Sequence, residues 1–193
     1  MKKLSHKTLL ARISHGLLAL ALLTLAGNSQ AGPLADARMQ VGINLFPAFL
    51  AARITPPTSH EHIAVVFAEH RPDIELIAKR LRERLRKKSE NDRVTLLPLK
   101  GLNQEAPTKF TALFIAQTLN VDELEQVLSF AREHKMLTFS PLPGDVERGV
   151  LGGIAVSDRI LPSLNMQTLR DHGIDLKPFF KKVSDRYEPS SAH

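Results

Sequence analysis

His60-Glu61-His62 is the densest group of metal-ligand types in this sequence. On a strand, His60 and His62 would share one face and could hold a metal ion between them. No third ligand stands at a helical or hairpin offset, so a solvated strand entrance after Pro56-Pro57 is the simpler reading. Gly149-x-x-Gly152-Gly153 has the glycine density of a phosphate cradle. Such a loop must run into a helix, with Lys and then Ser or Thr after the final glycine. Here Ile154-Ala155-Val156 follows as an extended apolar run, which favours a bulge or close packing against a helix. The serines lack a Gly-x-Ser-x-Gly elbow, and Ser140 and Ser157 fall at expected strand ends without a motif histidine. No spacing singles out a pair of catalytic carboxylates. The chain has no cysteine, which excludes thiol nucleophiles, cysteine-ligated metals and disulfides. These readings predict no catalysis, no cofactor and no metal.

The run Lys79, Arg80, Arg82, Arg84, Arg86, Lys87, Lys88 is the strongest charge cluster. It lies on a segment with Ile74, Ile77, Leu81 and Leu85 on one stripe, an amphipathic helix from Asp73 to Lys88. The charges then spread over its solvated face and complement the dipole at its C-terminus. The functional alternative is a docking surface for an acidic partner or anionic headgroups.

The elements that would position these groups follow from periodicity. Ala35 to Arg53 has helical spacing, with Pro47 expected to kink it. His62–Ala68, Arg93–Leu97, Thr111–Ile115 and Met136–Ser140 read as buried strands, and Val121–His134 as a helix capped by Asn120 and Glu123. After a loop from Pro141 to Gly149, Val150–Val156 and Arg159–Leu161 read as a hairpin across Ser157-Asp158. Asn165 caps a short helix ending at Gly173, and Pro178 opens a last one. This order predicts an α/β fold: a mainly parallel sheet flanked by helices, with a C-terminal antiparallel hairpin at its edge.

The first 31 residues read differently. Lys2, Lys3, Lys7 and Arg12 precede the apolar run Gly16–Ala26, and Ser29 and Ala31 occupy the small-residue positions of a cleavage site. That is the pattern of a secretory signal peptide, with a retained signal anchor as the other reading. Of 193 residues the chain has 26 Lys and Arg and 20 acids, for a net charge of +6. The leader holds four of the basic residues and no acid, which leaves 22 against 20 and a net charge of +2. Nucleic acid is therefore not an expected partner. After cleavage no apolar run is long enough to span a membrane, so a soluble periplasmic protein is expected.

The last third carries a resemblance. Gly152-Gly153-Ile154, Arg159-Ile160 and Asn165 followed by Gly173-Ile174 and Leu176 resemble the C-terminal signature of the YfiR-like family of bacterial periplasmic proteins. Arg170 falls at the place of one of that family's helix arginines, and Phe46-x-x-Phe49 resembles its aromatic first helix. The family's Trp-Pro after that helix is missing, with only Pro56-Pro57 nearby, and Leu161-Pro162-Ser163-Leu164 departs from its usual strand pattern. Without cysteines, any disulfide-based redox control is excluded here. The resemblance implies a regulatory protein that restrains a membrane-embedded diguanylate cyclase by binding its periplasmic sensor region, and so acts on cyclic-di-GMP signalling and biofilm growth. It also implies the division 1–31 signal peptide, 32–188 a single YfiR-like α/β domain and 189–193 a disordered tail.

From the parallel sheet alone, a small-solute-binding protein feeding a transporter or sensor is the alternative. An exported hydrolase with a cryptic site is a third. Ile43, Phe46, Phe49 and Leu50 occupy more than one face of the first helix, so some are expected to remain exposed for a partner or a homodimer, the other reading being a helix buried on two sides within the monomer.

Overall fold

The computed structural model describes residues 33–55, 60–104 and 110–189. The signal-peptide assignment, the Pro56-Pro57 breaker and residues 190–193 of the expected tail lie outside these residues. The elements are α1 (Pro33–Ala51), β1 (His62–Phe67), α2 (Pro72–Arg86), β2 (Arg93–Pro98), a 3₁₀ segment (Leu99–Gln104), β3 (Ala112–Ile115), α3 (Val121–Glu133), β4 (Leu137–Ser140), β5 (Gly152–Val156), β6 (Ile160–Asn165), α4 (Met166–Asp171), α5 (Pro178–Val183) and β7 (Asp185–Tyr187).

The seven strands form one sheet in the order β2-β1-β3-β4-β5-β6-β7. All neighbours are parallel except β5 and β6. The expected α/β class and its antiparallel pair near the C-terminal edge are therefore present, with short β7 added outside the pair.

The central strands are apolar on both faces because helices cover both. Ile63, Val65, Ala112 and Phe114 pack towards α1 and α2. Ala64, Val66, Leu113 and Ile115 pack towards α3 and the 3₁₀ segment. α2 buries Ile74, Ile77, Ala78, Leu81 and Leu85, the stripe that its periodicity marks.

The helix expected over Ala35–Arg53 is α1. Pro47 lies inside the helix without ending it. Phe46 and Phe49 flank that proline and sit in an aromatic cluster, with Phe46 5.2 Å from Phe114 and both rings 5.3 Å from Phe139. Burial of these two rings holds the last turn in place. Just past α1, the chain is tied to the segment before α5. Arg53 bridges Leu176, Ile54 N donates to Asp175 O at 3.0 Å, and Lys177 N donates to Ala52 O at 2.7 Å.

β5 and β6 outrun β4. Phe139 and Ser140 pair with Gly152 and Gly153, so Ile154–Val156 and their partners Ile160–Pro162 stand beyond the end of β4 as a two-stranded arm. Gly152 and Gly153 are glycines because nothing else fits. A Cβ on Gly152 would lie 2.6 Å from the Phe49 ring, and one on Gly153 would lie 2.6 Å from the Ser140 carbonyl oxygen. Close packing, not phosphate binding, explains this pair.

Candidate functional site

The chain leaves β1 towards β2 on one side and resumes with β3 on the other. At such a reversal the loops leaving the carboxyl ends of the two strands part and leave a crevice, which is where open α/β sheets hold ligands. Three segments meet along this edge: Glu69-His70-Arg71 after β1, Gln117-Thr118 after β3, and Pro141–Asp145 after β4.

The floor of the edge is fixed by internal hydrogen bonds. Gln117 is buried, and its amide, oriented to suit its surroundings, donates to Glu69 O at 3.0 Å and accepts from Glu69 N and Ala68 N at 2.9 and 2.8 Å. Ser140 Oγ donates to Asp145 Oδ2 at 2.6 Å and accepts from Leu142 N at 3.2 Å. Arg148 donates to Asp145 Oδ1 at 3.2 Å and to the carbonyls of Leu119 and Asn120 at 3.1 and 3.0 Å. Burial pushes the Asp145 carboxyl above the ordinary aspartate range, against the hydrogen bond from Ser140 and the charge of Arg148. From α1, Arg38 donates to Pro141 O at 3.1 Å and to Ile154 O at 3.0 Å, which ties the loop to the arm.

The rim is open. Glu69, His70, Arg71, Thr118, Asn120, Pro143 and Gly144 are exposed. Arg71 is steadied by Asp73 at 2.6 Å, and His70 lies 3.9 Å from Glu75. The arrangement is a rigid floor under an exposed polar rim, suited to holding a ligand by hydrogen bonds and charge. Its hydroxyl–carboxylate pair, Ser140 with Asp145, is buried in the floor and holds the loop through Leu142 N. Among the described residues, no three His, Asp or Glu side chains gather in a metal-holding group.

No protein-family model matches this sequence, and no curated protein does. Solved structures share the fold. The ABC domain in complex with L-Trp from Streptococcus pneumonia superposes with a TM-score of 0.56 at 11% identity, over 77% of this chain and 60% of that one. A ligand-free, open substrate binding protein with adhesive properties from Clostridium difficile gives 0.57 at 16% identity, over 77% and 59%. A conserved domain protein from Vibrio cholerae gives 0.59 at 10% identity, over 76% and 60%. At these identities the likeness is one of fold. This chain spans about 60% of the length of the chains it resembles.

The residues singled out in the sequence are mostly structural. Ile43, Phe46, Phe49 and Leu50 are all buried in the main core, which corrects the expectation that some stay exposed as docking anchors. The reason is that α1 is enclosed: Phe49 meets both Phe139 on the sheet and Phe180 on α5. Asn165 caps α4, accepting from Thr168 N at 2.9 Å, while its Nδ2 donates to Val146 O at 2.7 Å. Gly173 follows α4 at φ +61°, a conformation that favours glycine. Arg170 is exposed and bonded to Glu188 at 2.9 Å. Arg159 is exposed on the arm.

In the His60–His62 group, His62 Nε2 lies 2.8 Å from Thr95 Oγ1, and Glu61 bonds Thr111. The basic residues of α2 and of the turn after it are exposed, and three of them are engaged locally: Arg80 with Gln40, Arg82 with Val94 O and Lys88 with Pro47 O. Sequence reading missed Gln117 and Arg148 because their partners are mostly backbone atoms of other loops, and Asp145 because its partners Ser140 and Arg148 stand at no motif spacing.

The described residues include no helix long and apolar enough to cross a membrane.

Proposed function

We propose that this protein is a non-catalytic binding protein that receives a small polar solute on the carboxyl edge of its sheet. The observation that carries this reading is the edge at the β1–β3 reversal, where a floor fixed by Gln117, Ser140 and Asp145 underlies the exposed rim of Glu69, Arg71 and Thr118. A fold shared with a substrate binding protein and with a domain that holds L-Trp supports it by analogy. A leader of secretory pattern supports an exported location.

Free amino acids are the first solutes to try. In thermal unfolding, a bound amino acid should raise the melting temperature progressively with its concentration. Arg71→Ala and Thr118→Ala should abolish that rise while leaving the unliganded protein as stable as before. A flat response across the amino acids, dipeptides and small organic acids would overturn the reading.

A second reading follows from the Gly152-to-Leu176 segment, which resembles the YfiR-like signature. On that reading the protein regulates a membrane diguanylate cyclase through its periplasmic sensor region. Deleting the gene should then change cellular cyclic-di-GMP in a strain that retains the cyclase. Unchanged levels would count against it.

A further inference from the structure

The exposed apolar side chains are unevenly distributed. Of the seven large ones exposed among the described residues, four lie on β5, β6 and α5: Val156 at 50%, Ile160 at 51%, Phe179 at 75% and Val183 at 37%. Phe179 and Val183 are four residues apart on α5, so they share a helix face. Val156 and Ile160 are cross-strand partners near the tip of the arm.

Beside them the outer edge of the arm is notched. β7 pairs only with Ser163–Asn165, so the first half of β6 has no neighbour on that side among the described strands. The resulting cavity, about 630 Å³, is lined by Arg159, Leu161, Lys182, Val183 and Arg186, with Asp185 the one acid. Three cations thus stand against Asp185 around an apolar base; Glu188, close enough to feel the charge of Arg186, is paired with Arg170 at 2.9 Å, so the concavity keeps a net positive charge.

The edge itself is not built to accept a strand. Asn165 N donates to Leu151 O on the β5 side. Alternation then turns the backbone of Leu161 and Ser163 the same way and that of Pro162 outwards, into the notch. Proline has no N–H to offer there, and a strand seeking a ladder would find a gap.

We propose that this corner docks an acidic segment of a protein partner, held by side-chain contacts to Arg159, Lys182 and Arg186 and by apolar contact with Val183 and Phe179. A second copy of this chain fits poorly, because a two-fold contact would set these three cations against themselves. The surface lies on the outer side of the arm. The solute edge lies on the inner side, where Arg38 takes Ile154 O. The inference goes beyond the solute-binding reading and does not depend on it.

The full chain can be titrated into a fluorescein-labelled peptide of alternating Asp, Glu and Leu, with anisotropy as the readout and the same peptide carrying Lys for each acid as control. Only the acidic peptide should bind, more weakly as salt rises. The double variant Arg159→Glu, Lys182→Glu and the single variant Phe179→Ala should each weaken binding roughly tenfold or more. Arg84→Glu on α2 should leave it unchanged. All these side chains are exposed, and circular dichroism checks that each variant folds.

Equal loss from Arg84→Glu would reveal only diffuse charge attraction and overturn the proposal. So would vesicles of anionic phosphatidylglycerol binding through the same residues in place of the peptide. A dimer by light scattering that the corner variants dissolve would overturn it too. Loss of amino-acid binding in Arg71→Ala with peptide binding intact would separate the two surfaces.

Discussion

At the scale of single residues, Gly152 and His172 are the most constrained by their surroundings. A methyl group on Gly152 would sit 2.6 Å from the Phe49 ring, and that ring is locked between Phe139 and Phe180. Gly152→Ala should therefore destabilise the fold by about 1–3 kcal/mol in urea unfolding, with part of the loss restored by Phe49→Leu. An unchanged unfolding midpoint would mean that the contact relaxes freely. His172 is buried, and that burial holds its pKa below the ordinary histidine range, with the charge of Arg132 acting the same way. The unfolded chain then binds the proton more readily than the folded one. Stability from this group is complete above the ordinary histidine range and is lost as pH falls through it. Between about pH 7.5 and about pH 5 the wild type should lose more stability than His172→Gln, and parallel pH profiles would assign the titration elsewhere.

Two asparagines show how much one side chain contributes to an element. Asn120 forms a reciprocal cap with Glu123, at 2.9 and 2.8 Å, on an exposed helix start. Asn165 caps α4 and also donates to the Val146 carbonyl, which accepts from Gly149 N as well. Asn120→Ala should cost about 1 kcal/mol, the usual worth of such a cap. Asn165→Ala should cost that plus about 0.5–1.5 kcal/mol for the lost bond to Val146 O, a carbonyl that Gly149 N still satisfies at 3.1 Å. Equal losses in chemical denaturation would show that the Val146 bond contributes nothing. The caps also mark what the sequence discloses. Asn120, Asn165, Gly173 and Pro178 punctuate the helices with the local chemistry that their ends need, and the strands β1 and β3 are apolar on both faces, so all were legible. β7 was not: Asp-Arg-Tyr has no strand pattern and becomes a strand by pairing with β6. The exposure expected of Phe46 and Leu50 failed because the second surface covering α1 comes from residues near position 180, which no window on α1 contains. The floor of the candidate site was equally hidden, since Gln117 is satisfied by the backbone of Ala68 and Glu69 nearly fifty residues away.

At the scale of the molecule, the first helix is completed by the last segments. Phe49 needs Phe139, Gly152 and Phe180, and the stretch after α1 is stitched to Asp175, Leu176 and Lys177. Contacts of such long sequence separation cost loop-closure entropy before they return any stability, so they form late. A chain delivered from its N-terminus, by a ribosome or through a membrane pore, would present Phe46 and Phe49 long before their partners arrive. During that interval the helix is a sticky apolar surface with nothing to close on, the kind of segment that chaperones hold. Emergence of α1 and completion of the core are thus separate events, because the Asp175–Lys177 stitch and Phe180 arrive last among its partners.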